Sequence, residues 1–140
     1  MVRKKVLFIC SRNAARSQMA EGYLRTRYGE WYEAFSAGIQ PSIVNKQVIR
    51  VMGEIGIDIS GQRSKSLGEY YGEEMDLVVT MCDPTTAVCP LFPWAKDTIH
   101  IPFPDPGAIS GTEEERLAGF RSIRDQITKW IDATLGDRPL

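Results

Sequence analysis

Apolar positions along the chain fall into two kinds of run, one continuous over four or five residues and one spaced every three to four. The continuous runs, Lys5 to Ile9, Glu33 to Ala37, Leu77 to Met81 and Thr98 to Ile101, predict strands. Val6-Leu7-Phe8-Ile9 and Leu77-Val78-Val79 are apolar without alternation, the pattern of parallel strands buried on both faces. The spaced runs predict helices. From about Ala15, residues Ala15, Met19 and Tyr23 form one stripe with Ala20 and Leu24 beside it. Ser42 is the expected cap of a second helix carrying Val44, Val48, Val51, Met52 and Ile55, which Gly56 stops. A short helix is expected near Leu67 to Tyr71. Thr112 and Glu115 form a capping box before the last helix, whose Leu117, Phe120, Ile123, Ile127, Trp130 and Ile131 run on toward Gly136. Strands alternating with helices predict an α/β fold: a single-domain four-stranded parallel sheet with helices on both faces, spanning 1–140.

Composition narrows what such a domain does. At 140 residues and 43% hydrophobic content the chain buries one core. A net charge of −1 supplies no basic field for nucleic acid. The longest apolar runs are far too short to span a membrane, and the basic N-terminus leads into Val6 without a cleavage-site pattern. A cytoplasmic chain with reduced thiols is expected. Three cysteines, an odd number without an export signal, argue for thiol chemistry or a metal rather than a disulfide framework.

The first strand runs into Cys10-Ser11-Arg12-Asn13-Ala14-Ala15-Arg16-Ser17, a Cys-x5-Arg-Ser loop that leads into a helix. A loop in that place aims backbone N–H groups and the positive end of a helix dipole at one spot, which holds a tetrahedral anion beside a thiolate. Arg16 can fork onto two oxygens, Ser17 can donate to the Cys10 sulfur, and Asn13 suits a position of positive φ. Ligands of parallel sheets sit beyond the carboxyl ends of the strands. Cys10, Cys82 and Asp105 all fall just past such ends, the last within Pro102-Phe103-Pro104-Asp105-Pro106.

These residues resemble the low-molecular-weight protein tyrosine phosphatase fold. Within it, the stretch from Cys10 to Gly22, together with Cys82 and Cys89, is similar to the thioredoxin-coupled arsenate reductases. The resemblance implies Cys10 as nucleophile, Arg16 as oxyanion clamp, Ser11, Arg12, Asn13, Ala14, Ala15, Arg16 and Ser17 as the oxyanion loop, and Asp105 as acid. It also implies a resolving role for Cys82 and a disulfide-shuttling role for Cys89. Electron counting agrees, because converting As(V) to As(III) takes two electrons and a dithiol supplies them by becoming a disulfide. A thioredoxin or similar dithiol reductant is the implied partner and arsenate or phosphate the implied ligand. No cofactor or metal is expected, and a monomer suffices.

The chain departs from the family pattern in three places. Arg12 stands where the family usually has Gly, and either changes the backbone or adds positive charge near the anion. In some members the positions of Asn13, Glu21, Ser36 and an acid at 65 bind potassium; here Lys65 is expected to set its ammonium beside Glu21 instead. No aromatic residue follows Asp105-Pro106 to stack on a phosphotyrosine ring. Two other readings stay open: a phosphatase in which Cys82 and Cys89 protect Cys10 from oxidation, and a non-enzymatic thiol module binding arsenite or zinc. Zinc would have to use Cys82, Cys89 and His100, with Cys10 as a further candidate, without the close Cys-x2-Cys spacing such sites use. His100, between Ile99 and Ile101, reads as structural, and Asp83 beside Cys82 is the rival to Asp105 as acid.

Overall fold

In the computed structural model, residues 3–82, 92–104 and 110–136 are described. Strand β1 (Lys4–Cys10) is followed by helix α1 (Arg16–Tyr28), strand β2 (Tyr32–Gly38), helix α2 (Lys46–Gly53) and a single 3-10 turn at Leu67–Tyr70. Strands β3 (Leu77–Thr80) and β4 (Thr98–His100) come next, then helix α3 (Glu113–Ile131), which continues into a π-helical turn at Asp132–Gly136. The four strands form one sheet in the order β2-β1-β3-β4, every pair parallel.

That order places the site. The chain leaves β1 toward one edge of the sheet to make β2 and later returns to the other side to make β3. The ends of β1 and β3 therefore flank the point where strand order reverses, the crevice in which open α/β sheets bind ligands.

Successive residues of β1 face opposite sides of the sheet. Val6, Phe8 and Cys10 pack with Leu77, Val79 and Met81 against α1, α2 and α3. Leu7 and Ile9 pack with Ala37, Val78 and Cys82 against Leu67, Met75 and Phe92, a layer built on the 3-10 turn and its neighbouring loops. Leu7, Phe8 and Ile9 are completely buried. Each such side chain stabilises by about 1.5–3 kcal/mol, so the strand that delivers Cys10 to the rim is among the most firmly held parts of the molecule.

One expectation is corrected in detail. Helix α2 starts at Lys46, and its cap is Asn45 rather than Ser42: the Asn45 side chain accepts from the N–H groups of Gln47 and Val48. The Ser42 N–H instead donates to Ser64 Oγ at 3.0 Å and to the Arg12 carbonyl at 3.3 Å, and Val44 lies before the helix and Ile55 after it. Strand β4 is an edge strand, with Thr98 and His100 exposed. The His100 ring is satisfied by a 2.7 Å hydrogen bond between Nδ1 and Thr80 Oγ1 on β3. The capping box at Thr112 and Glu115 forms as the sequence predicts.

The C-terminal turn is tied to α1 by a carboxylate shared between two phenols. Asp132 accepts from Tyr23 at 2.8 Å and from Tyr28 at 2.6 Å. Burial, followed by the hydrogen bond and charge of Asp132, pushes the Tyr23 phenol up to about 12.

Candidate active site

The Cys10 loop is shaped by a second segment that sequence reasoning did not assign to it. The carbonyls of Ser11, Arg12 and Ala14 accept from the N–H groups of Gln40, Ser42 and Asn45, at 2.9, 3.3 and 3.0 Å. In a planar trans peptide the C=O and the following N–H point opposite ways. Tying these carbonyls outward therefore turns the N–H groups of Arg12, Asn13 and Ala15 inward. Among the described residues, no protein group accepts from the N–H groups of Ser11 to Ala15, which leaves them for an anion.

This approach requires Gly38, the register partner of Cys10 on β2. A Cβ there would lie 2.7 Å from the Asn13 nitrogen and 2.8 Å from the Arg12 carbonyl carbon. A glycine directly after a predicted strand was the available signal for this close contact.

Asn13 takes the left-handed conformation, with φ of 53°, at modest cost for this residue type. Its side chain is oriented without ambiguity, because the backbone N–H of Lys65 can only donate and is 2.8 Å from Oδ1. Oδ1 also accepts from Gln18 Nε2 at 2.8 Å. The amide nitrogen must then be the atom facing Ser17, and it donates to Ser17 Oγ at 2.7 Å. Ser17 keeps its own proton for Cys10, whose sulfur is 2.8 Å from Oγ. Gln62 donates to Gln18 Oε1 at 2.7 Å and holds that amide in turn. A chain of fixed polarity thus runs Gln62, Gln18, Asn13, Ser17, Cys10, and ends in a donor on the sulfur. Gln18 and Gln62 were not expected here, since their spacing carries no motif.

Arg16 opens α1 and is 4% exposed. Its Nη1 donates to the Met81 carbonyl at 3.1 Å and the Phe103 carbonyl at 3.2 Å, just past the ends of β3 and β4. The other guanidinium N–H groups take no acceptor among the described residues. A planar fork anchored by one nitrogen is well placed to hold an oxyanion with the rest. A cavity of about 400 Å³ opens over Cys10 and is walled by loop residues, Arg16, Asn45, Lys46 and Phe120.

The residues at 83–91 and 105–109 lie outside the described residues, and with them Cys89, Asp105 and the rival Asp83. Cys82 is described and buried, on the face of the sheet carrying Leu7 and Ile9. Cys10 is on the other face. Lys65 stands beside Glu21, its Nζ 2.8 Å from Oε1 and 3.3 Å from Ser36 Oγ. Ser36 and Arg25 also donate to the Glu21 carboxylate. Arg12 keeps φ negative, Asn13 being the one non-glycine residue with positive φ among the described residues. Among the described residues, no group of three or more metal-ligating side chains is gathered, and no helix is long and apolar enough to cross a membrane.

A Cys-x5-Arg loop at the switch point of a 2-1-3-4 parallel sheet is a specific arrangement. Residues 5–136 match the low molecular weight phosphotyrosine protein phosphatase family. The chain belongs to this family. Within it, the chain is 43% identical over 131 residues to an arsenate reductase of Halalkalibacterium halodurans, covering 94% of each chain. It is 39% identical to an arsenate reductase of Bacillus subtilis, covering 91% of each. Among solved structures, an arsenate reductase in a phosphate-binding state aligns with a TM-score of 0.80 at 32% identity, over 93% of this chain and 95% of that one. A low molecular weight protein tyrosine phosphatase from T. tengcongensis aligns at 0.69 and 26% identity, over 92% and 95%. The chain is thus similar to both reductases and phosphatases, so the loop alone does not choose between them.

Proposed function

We propose that this chain reduces arsenate to arsenite, working as one domain over 1–140, as a monomer in a reducing cytoplasm. The observation that carries the reading is the Cys10 sulfur held by the Ser17 hydroxyl at 2.8 Å at the floor of an anion cradle. The named reductases at 35–43% identity support arsenate as the oxyanion.

In this reading the Cys10 thiolate attacks arsenic, an S–As(V) bond forms, and one oxygen leaves as water with a proton from Asp105. Arg16 and the inward N–H groups of the loop hold the remaining oxygens. Cys82 then attacks the Cys10 sulfur. The S–As electron pair passes to arsenic, which departs as As(III), and a Cys10–Cys82 disulfide remains. Cys89 attacks Cys82, frees Cys10 and leaves a Cys82–Cys89 disulfide. A thioredoxin-like dithiol protein reduces that bond and supplies the two electrons consumed.

The test supplies arsenate with thioredoxin, its reductase and NADPH, and follows NADPH loss in the wild type and in single Cys→Ser variants. Turnover in the wild type and none in Cys10→Ser, Cys82→Ser or Cys89→Ser is expected. Sustained turnover in Cys82→Ser would sink the relay. Phosphate ester hydrolysis needs only the cradle and accompanies either enzymatic reading.

A further inference from the structure

The cavity over Cys10 extends beyond the loop to Lys46 and Phe120, and its outer wall has a distinct charge. Arg12 and Lys46 both line it, together with Arg16, and no carboxylate does among the described residues. Both are exposed, and neither makes an ion pair among the described residues. In an opening of about 510 Å³ along the β2 edge, by contrast, the lining cations are committed to carboxylates: Arg3 to Glu33, Arg25 and Lys65 to Glu21, Arg63 to Glu69.

Backbone contacts hold the two cations to the same loop. The Arg12 carbonyl accepts from the Ser42 N–H and from Ser64 Oγ at 2.9 Å. Lys46 follows Asn45, whose N–H bonds the Ala14 carbonyl and whose side chain caps α2. Neither side chain is needed for those contacts, so selection on the fold does not explain two positive charges at this place.

We infer that Arg12 and Lys46 form a cationic rim that selects the doubly charged form of the incoming oxyanion and draws it to the cradle. The inference rests on the reading that this cavity is the oxyanion site. Arg16 and the loop amides grip the anion after entry. The rim acts earlier and at longer range, in a cavity whose low-dielectric walls concentrate its field. A dianion gains more from the rim than a monoanion does, and salt weakens the gain because the rim is exposed.

The experiment measures inorganic phosphate binding by calorimetry to the reduced full-length chain, across the second ionisation of phosphate and across a range of salt. The proteins are the wild type, Arg12→Ser, Lys46→Gln and Lys46→Glu. Neutralising either cation should weaken binding of the dianion about threefold, and Lys46→Glu about tenfold. Each variant should lose part of the preference for dianion over monoanion and show a shallower salt dependence. Thermal unfolding of the same proteins should be unchanged.

For arsenate turnover, KM should rise in step with kcat nearly constant. Phosphate affinity within twofold of wild type in all three variants, or a fall in kcat with KM unmoved, would overturn the rim. Should the wild type bind phosphate with this charge dependence yet fail to turn over arsenate, the rim stands and the reductase reading falls.

Discussion

Cys10 and Cys82 lie on opposite faces of the sheet, although the strands that deliver them are neighbours. Cys10 packs with Val6 and Phe8 beneath the helices, whereas Cys82 packs with Leu7 and Ile9 near Phe92. A disulfide needs its two Cα atoms within about 7 Å and their Cβ vectors converging. In the proposed relay the Cys82 side chain would leave the Leu7 and Ile9 layer to meet Cys10 at the rim. In the Cys89→Ser variant, one round with arsenate should leave a Cys10–Cys82 disulfide, read by mass spectrometry of peptides. Recovery of Cys10 as a free thiol after arsenite release would rule out this partnership.

Asn13 donates to the Ser17 oxygen from one side, which favours the serine proton turning to the Cys10 sulfur on the other. Replacing Asn13 by Ala removes that constraint and leaves the Lys65 N–H without its acceptor, at a cost of about 1–3 kcal/mol. We expect an Asn13→Ala chain that still folds, with a melting point several degrees lower and a single-turnover rate at least about tenfold slower. Unaltered kinetics in this variant would mean that the polarity chain does not govern the sulfur.

Gly38→Ala should separate folding from anion binding. The added methyl would meet loop backbone at 2.7 and 2.8 Å, and neither neighbour is the end of a flexible side chain. The sheet should form, by circular dichroism, while phosphate no longer raises the melting temperature as it does for the wild type. Equal stabilisation by phosphate in both proteins would show that the loop tolerates the displacement.

Lys65 and Glu21 form a buried pair, with side chains 8% and 4% exposed. An ammonium in that place leaves a monovalent cation no role, so rates in potassium chloride and sodium chloride at equal ionic strength should agree. A clear acceleration by potassium would count against it. Lys65→Ala strands a buried carboxylate with Arg25 and Ser36 alone, and should lower stability by about 3 kcal/mol in chemical denaturation.

Glu54 joins α2 to α3 through Arg121 and Arg124. The Arg121 hydrogen bonds, reinforced by Arg124, bring its carboxyl down from 4.5 to about 2. Between those values the unfolded chain binds the extra proton and the folded one does not, so this contribution is whole above pH 4.5 and fades as pH falls toward 2. Melting curves of the wild type and Glu54→Gln should differ above pH 4.5 and converge near pH 2. A gap that persists unchanged at pH 2 would assign the effect to packing.

The strands and the last helix were legible because burial writes itself into sequence as period. Continuous apolar runs marked β1 and β3, and the stripe from Leu117 to Ile131 marked α3. Cys10, Arg16 and Ser17 were legible because their spacing is local and their chemistry scarce. The partners of the loop were not. Gln40, Ser42 and Asn45 meet it through main-chain N–H groups, which every residue except proline carries, so their side chains give no signal. Ser42 even misled, since serine before an apolar stripe also suits a helix cap. Gln18 and Gln62 act through amide orientation, a property of the assembled fold alone.

The lacing of the Cys10 loop to residues 40–45 has one more consequence. The cradle is a seam between two stretches of chain, closed by three main-chain hydrogen bonds that no substitution other than proline can delete outright. Its shape is thus insulated from drift in sequence, while the residues riding on its outer edge are at liberty to vary. A scaffold of this kind lets one anion trap be retuned for a new oxyanion from its margin, with the machinery at its centre left alone.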